Sequence, residues 1–142
     1  MITVTARQPD GWVDRSMLAY SAPKAGRSGV APNVVVTTDD LSSARGSNER
    51  GRIADFAGRQ VAEMKEKLPS PVIHLQQPTQ VDGREAMEVL VTWAQGAVRL
   101  TQWVVFVHRS PEQAVVATAT AAEREFADHR DTFAEIVYSL KL

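Results

Sequence analysis

Three histidines and one pair of adjacent aspartates are the side chains of this sequence that could hold a metal ion or transfer a proton. His74, His108 and His129 are widely separated in the chain, and neither HExxH nor another compact ligand spacing occurs. Asp39 and Asp40 lie in a polar stretch, where solvation is the expected role of paired carboxylates. We therefore expect no metal site, and we expect packing or surface roles for His74 and His108.

The sequence also lacks the usual motifs for nucleophilic catalysis and for phosphate binding. It contains no cysteine, which excludes disulfide bonds and thiolate chemistry. No serine lies in a GxSxG motif, and residues 26–29 (GRSG) lack the lysine and the following helix of a phosphate-binding loop. We predict that the protein is not an enzyme and binds no cofactor. A catalytic site assembled from residues distant in the sequence is the alternative.

Length and composition are those of one ordinary globular domain, which we predict to span residues 1–142. Charged residues make up 23% of the chain and the formal net charge is −1, so neither nucleic acid nor an anionic membrane surface is favoured as a partner. The first residues do not resemble a signal peptide, and no run reaches the roughly 18–20 apolar residues of a membrane span. We expect a cytoplasmic protein without stable membrane insertion.

Two glutamines interrupt otherwise apolar patterns. Gln60 lies in a series with helical spacing, and Gln102 lies in a series with the two-residue spacing of a strand face. An amide at such a position can donate and accept hydrogen bonds with polar groups of a bound partner. The alternative is that each amide bonds to neighbouring backbone or water. The apolar neighbours are Ile53, Phe56, Ala57, Val61, Met64 and Leu68 in the first series, and Val98, Leu100, Val104 and Phe106 in the second.

The second glutamine belongs to a long β-hairpin, which we predict over residues 85–109 with its turn at Gln95-Gly96. A strand with one face in water should alternate apolar with polar residues. Both faces of the second strand are instead largely apolar from residue 102 to residue 107. Both faces of the hairpin must therefore be covered by other parts of the protein or by a partner.

The remaining patterns predict the elements that surround the hairpin. Alternating β-branched residues predict strands at 2–6, 16–21, 33–38, 72–77 (closed by Pro78) and 114–120, and residues 39–51 are predicted to form a mobile loop. A first helix begins near residue 52, and a capping box at 120–123 predicts the start of a second. The fold class is α+β. We expect a largely antiparallel twisted sheet with both amphipathic helices on one face and an exposed apolar groove on the other.

Several short segments recur in this order and spacing in one known family. They are Gly11-Trp12, Lys67-Leu68-Pro69, Asp82-Gly83-Arg84, the strand at 100–106 and a closing helix that ends near Ile136-Val137. In these segments the chain resembles the DcrB-related (DUF1795) family, which has the Mog1/PsbP-like fold. Within that family it is most similar to the Eag-type chaperones of type VI secretion effectors.

The resemblance implies a chaperone role. Eag-type chaperones are cytoplasmic, usually dimeric, and hold the N-terminal transmembrane helices of PAAR- or Rhs-containing effectors in an apolar groove before export. It therefore implies an effector transmembrane segment and a second copy of the chain as partners, with no metal and no cofactor. Carried over by position, the client-binding residues are Met17, Ala19, Asn33, Val35, Thr37, Gln60, Leu68 and Gln102.

A second function is compatible with the same sequence. The Mog1/PsbP-like fold also serves adaptors that bind a soluble folded partner, with regulatory or envelope-related roles, and a shared fold says little about the partner. A pull-down from lysate would separate the two interpretations. The chaperone interpretation expects a secretion effector to be captured, and the adaptor interpretation expects a soluble folded protein.

Overall fold

The computed structural model of the protein describes residues 5–13, 15 and 18–142. Most of the predicted opening strand at residues 2–6 lies outside these residues, and so does Met17, the first of the predicted client-binding residues. Residues 5–9, which are described, have no regular secondary structure.

Six antiparallel strands form a single sheet in the described part of the chain. The strand order across the sheet is β1-β2-β6-β5-β4-β3. The antiparallel sheet and the two helices confirm the predicted α+β class. The strands are β1 Leu18–Ser21, β2 Asn33–Asp40, β3 Val72–Val81, β4 Arg84–Gln95, β5 Val98–Ser110 and β6 Gln113–Ala122.

Strands β3, β4 and β5 are neighbours both in the chain and in the sheet, and two tight turns connect them. Asp82 and Gly83, with φ values of 52° and 70°, join β3 to β4, and Gly96, with φ of 60°, joins β4 to β5. Positive φ at these positions matches the right-handed twist of the strands, which explains the preference for Asp-Gly and Gly. The predicted central hairpin is therefore confirmed as β4–β5. Pro78, however, does not end β3, which continues to Val81. Because β3 is an edge strand, it tolerates a proline, which lacks the backbone N–H.

The helices are α1, Glu49–Lys67, and α2, Phe126–Tyr138. Asn48 caps α1, because its side-chain oxygen accepts a hydrogen bond of 2.7 Å from the backbone N–H of Gly51. Part of the predicted mobile loop at 39–51 is thus regular structure. The predicted capping box is wrong, since β6 continues through Thr120 to Ala122 and α2 has no side-chain cap at its start.

The two helices lie on opposite faces of the sheet. α1 packs on Val104 and Phe106 of β5, whereas α2 packs on the cluster that contains Val105 and Val107 of the same strand. Successive residues of a strand point to opposite faces. The expectation that both helices share one face is therefore wrong, and the reason is visible in β5, whose two apolar faces each require a cover. We call the two sides of the sheet the α1 face and the α2 face.

Each helix contributes to an aromatic pair in the core beneath it. One pair joins α1 to β5, and the other lies within α2. On the α1 face, the rings of Phe56 and Phe106 meet edge to face with centroids 5.7 Å apart. On the α2 face, Phe126 and Phe133 lie 5.5 Å apart, above the fully buried alanines of β6. The small alanine side chains let α2 approach the sheet closely, so each helix closes a separate core layer.

Candidate functional site

Helix α1 covers only half of the face on which it lies. Its main contacts are with β3, β4 and β5. Strands β6, β2 and β1 continue the sheet beyond β5, and among the described residues no helix lies over their α1 face. Val116 of β6 marks the border, because it is partly buried against the α1 cluster. We call the uncovered part of this face, formed by β6, β2 and β1, the open surface.

Strand register brings five of the predicted client-binding residues together on this face. Residues that are directly opposed in neighbouring strands point to the same side of a sheet. One row across the strands runs through Asn33, Thr120 and Gln102. The next row contains Ala19, Val35 and Thr118, and the third contains Thr37 and Val116.

Gln60 lies in a row of α1 residues whose first member reaches the end of β2. Residues 52, 56 and 60 form one row along the helix, since they are spaced four apart. The guanidinium of Arg52 in that row donates to the carbonyls of Leu41, at the end of β2, and of Pro111, at distances of 2.9 and 2.8 Å. The next residue of the row, Phe56, packs on Phe106 of β5, and Gln60 is half-buried one turn further along α1.

Leu68 lies away from the other predicted residues. It caps the C-terminal end of α1, and the carbonyl of the next residue, Pro69, accepts a hydrogen bond of 2.9 Å from the backbone N–H of Ala94 in β4. Strand β5 separates this position from β6. The strand register thus brings five of the seven described candidate residues to one face, while Gln60 is half-buried on α1 and Leu68 lies at the far end of that helix.

Gln102 is held in place by two side chains of the same face. Its oxygen accepts a hydrogen bond of 2.8 Å from the indole N–H of Trp93, and its nitrogen donates to the hydroxyl of Thr120 at 3.1 Å. These bonds correspond to the alternative in which the amide bonds its own neighbours. One amide hydrogen has no part in them, because a glutamine nitrogen carries two. Gln102 can therefore keep its orientation and still donate to a guest.

From Asn33 to Thr37 the described side chains of the open surface are small and uncharged. Among its described residues the first charged side chain is Asp39, near the end of β2. Its floor is half-buried rather than strongly exposed at Val35, Thr37 and Thr118. The predicted apolar groove opposite both helices is corrected in two respects: the surface shares a face with α1, and hydroxyl and amide groups are interspersed with its apolar residues.

Sequence patterns did not identify three residues of this surface. Thr118 and Thr120 form its floor in β6, and Trp93 orients Gln102 from β4. Thr120 was predicted to cap a helix, and the signal that places it here is the strand pairing of β6 with β2. That pairing joins segments far apart in the chain, so no local pattern contains it. The alternation of alanine and threonine at 117–120 is the available hint, because it separates a covered face from an uncovered one.

His74, His108 and Asp40 lie outside the open surface. His108 is buried, and His74 shares a 2.8 Å hydrogen bond with Thr92 on the α2 face. No group of three or more metal-ligating side chains occurs within the described residues. Asp40, beyond the open surface, accepts hydrogen bonds from the hydroxyl and backbone N–H of Ser42, which lower the pKa of its carboxyl. No helix in the described part of the chain is long and apolar enough to cross a membrane.

Solved structures with the same fold have low sequence identity to this chain. PA94 from Pseudomonas aeruginosa, a protein of unknown function with a suggested regulatory role, is 21% identical, with a TM-score of 0.77 over 95% of this chain and 88% of that one. LpqN of Mycobacterium tuberculosis, involved in cell envelope biogenesis, is 14% identical, with a TM-score of 0.57 over 92% and 85%. PsbP of the cyanobacterium Synechocystis sp. is 10% identical, with a TM-score of 0.52 over 94% and 95%.

These likenesses confirm the PsbP-like fold and carry no function across. A search of curated protein sequences finds no match. The sequence does match the DcrB family over residues 5–139, which is nearly its whole length. The chain belongs to the DcrB family.

Proposed function

We propose that the protein is a chaperone or adaptor that shields the N-terminal transmembrane helices of a PAAR- or Rhs-type effector of type VI secretion before export. The observation that carries the proposal is the open surface with its border on β5, where Ala19, Asn33, Val35, Thr37 and Gln102 share one side of the sheet and none of the five is charged. In this proposal the protein acts as a cytoplasmic homodimer without a cofactor, as the resemblance to Eag-type chaperones implies.

The chemistry of the open surface suits a transmembrane helix. Helices in membranes associate through small residues, which allow close approach, and through Thr, Asn and Gln side chains, which bond across the interface. The open surface offers the same residue types in Ala19, Thr118, Asn33 and Gln102. It thus supplies to a guest helix in water the contacts that a neighbouring helix supplies in a bilayer.

Burial of the guest supplies most of the binding free energy. Removing about 1,000 Å² of apolar surface from water contributes roughly 25 kcal/mol before costs. Association then costs on the order of 4–15 kcal/mol. One hydrogen bond from the free hydrogen of Gln102 adds about 0.5–1.5 kcal/mol. The amides and hydroxyls therefore decide orientation and choice of guest, and apolar contact decides affinity.

The dimensions also agree. Strand β6 has 10 residues, and a strand of that length extends for roughly 33 Å. The hydrocarbon core of a bilayer is about 30 Å thick, which sets the length of a spanning helix. A guest helix that lies along β6 and β2, beside α1, would have most of its apolar length in contact with the protein.

Co-expression with an effector N-terminus tests the proposal. We expect the protein to keep a PAAR/Rhs N-terminal fragment soluble, and Val35→Asp to lower the soluble fraction about ten-fold or more, because an unpaired charge under an apolar helix is costly. Thr38→Asp is the matched control, since Thr38 is exposed on the opposite face of the same strand. Circular dichroism of both variants establishes that they are folded. Equal aggregation of the fragment with and without the protein would contradict the proposal.

An adaptor for a soluble folded partner is the second candidate. The polar share of the open surface favours it, because Thr37, Asn33 and Thr118 can bond to the surface of a folded protein. Affinity capture from the native cell separates the candidates. Recovery of a folded protein without apolar N-terminal segments, lost in Val35→Asp and kept in Thr38→Asp, would favour the adaptor.

A further inference from the structure

The α2 face contains a cleft that the proposed function does not use. It lies between α2 and strands β3–β5 and has a volume of about 320 Å³. This is at the low end of the roughly 300–1,000 Å³ typical of small-molecule sites. Its walls are mainly apolar and aromatic, formed by Leu90, Trp103, Phe126, Phe133 and Tyr138.

One acidic side chain lines this cleft. Glu88 of β4 is half-buried, and within the described part of the chain its carboxylate accepts one hydrogen bond, of 3.3 Å, from the indole N–H of Trp103. No ion pair to Glu88 occurs among the described residues. Arg130, on the exposed side of α2, also lines the cleft and is not within ion-pair distance of Glu88. A carboxylate with three free lone-pair sites therefore borders an apolar space.

Two aromatic rings, those of Trp103 and Tyr138, line the same cleft. The rings of Trp103 and Tyr138 are tilted by 53° with centroids 5.8 Å apart. The hydroxyl of Tyr138 shares a 3.0 Å hydrogen bond with Thr79 of β3, which ties the end of α2 across the cleft to the edge strand. Aromatic faces attract cations, most strongly when the site is partly desolvated.

We propose that this cleft binds a small organic cation, an ammonium group carried on an apolar body. The ammonium would donate to Glu88 and rest against the rings of Trp103 and Tyr138. The apolar body would fill the space beside Leu90, Phe126 and Phe133. The site lies on the face opposite the open surface, so it can be occupied whether or not a guest helix is bound.

Three ligands with the same phenyl body test the charge preference. They are 2-phenylethylammonium, neutral 2-phenylethanol and anionic 3-phenylpropionate, each titrated into the full chain with a ¹⁵N-labelled indole readout. The indole signal of Trp103, assigned with Trp103→Phe, should shift, while that of Trp93 on the other face should not. We expect the cation to bind about ten-fold more tightly than the alcohol, and the anion to bind most weakly.

Two single-charge variants identify the group that selects the cation. Glu88→Gln keeps the shape and an acceptor for the Trp103 N–H, and it should reduce the affinity for 2-phenylethylammonium to that of the alcohol. Arg130→Gln removes the other charge of the cleft and should leave cation binding unchanged or tighter. Equal binding of cation and alcohol to the natural protein, tighter binding of the anion, or an unchanged cation affinity in Glu88→Gln would overturn the proposal.

The same titration distinguishes two sources of the ammonium group. Nα-acetyl-lysine methylamide presents the ammonium as the side chain of a protein would. Tighter binding of this ligand than of 2-phenylethylammonium, with the same dependence on Glu88, would support a lysine of a partner protein as the source. The reverse order would support a free amine. If neither ligand shifts the Trp103 signal at millimolar concentration, the cleft is not an ammonium site.

Discussion

One helix packs on each face of the sheet, yet the spaces that the two helices leave differ in shape and charge. Beside α1 the sheet continues through β6, β2 and β1, and the open surface is broad, with small uncharged residues from Asn33 to Thr37 and a first charge at Asp39. Beside α2 the sheet ends at the edge strand β3, where Tyr138 bonds to Thr79 and the space narrows to a cleft with Glu88 in it. Glu88 supplies the charge of the cleft, and the bond between Tyr138 and Thr79 narrows it.

The comparison separates two kinds of recognition on one small domain. A broad surface of small uncharged residues can accept a long apolar helix, for which contact area provides affinity. A narrow aromatic cleft with one carboxylate can accept only a small ligand, for which charge provides selectivity. The predictions below test whether the covered, open and cleft regions differ in the way that this comparison requires.

The largest effect is expected where α1 covers the sheet. Phe106→Ala removes a buried ring that contacts Phe56, and it should lower the free energy of unfolding by about 3–5 kcal/mol. Val35→Ala, in the open half of the same face, should cost about 1 kcal/mol or less, because Val35 is only half-buried. Urea denaturation of both variants measures the contrast. Similar losses would mean that Val35 is covered in solution, which would remove the open surface.

An intermediate effect is expected at the border of the open surface. Gln102→Leu removes the acceptor of the Trp93 indole N–H and should lower the free energy of unfolding by about 1 kcal/mol. Gln102→Glu keeps an acceptor for Trp93, and the Thr120 hydroxyl can turn to donate to it, so the loss should be smaller than in Gln102→Leu, yet the added charge should abolish client capture. Urea denaturation and the co-expression assay measure the two properties. An unchanged stability of Gln102→Leu would show that the amide does not bond to Trp93.

The smallest effect is expected in the cleft. Glu88→Gln should change the free energy of unfolding by less than about 0.5 kcal/mol, because the carboxylate makes a single 3.3 Å bond that an amide oxygen can replace. Thermal and urea denaturation check this value. A loss well above that size would assign Glu88 a structural role, and the cleft would then lose the group that distinguishes it from the open surface.

Local patterns predicted the parts of the fold that depend on near neighbours. The β4–β5 hairpin followed from its β-branched residues and Gly96, and the buried stripe of α1 followed from the spacing of Ile53, Phe56, Ala57 and Val61. Membership of Asn33, Val35 and Thr37 in one strand face followed from the two-residue period. Local patterns failed at Thr120, where a cap motif competed with a strand, and at Pro78, where the edge position of β3 was not foreseeable.

The amino-acid sequence alone determined which residues share a strand face or a helix stripe, because those relations repeat every two or every 3.6 residues along the chain. Only the tertiary structure decided that β2 pairs with β6, that α1 and α2 lie on opposite faces, and that Glu88 meets Trp103 and Tyr138 at one cleft. Strand order and helix placement depend on contacts between segments distant in the chain. Such contacts form because they bury the apolar faces of the whole sheet, and they leave no periodic pattern in the local sequence.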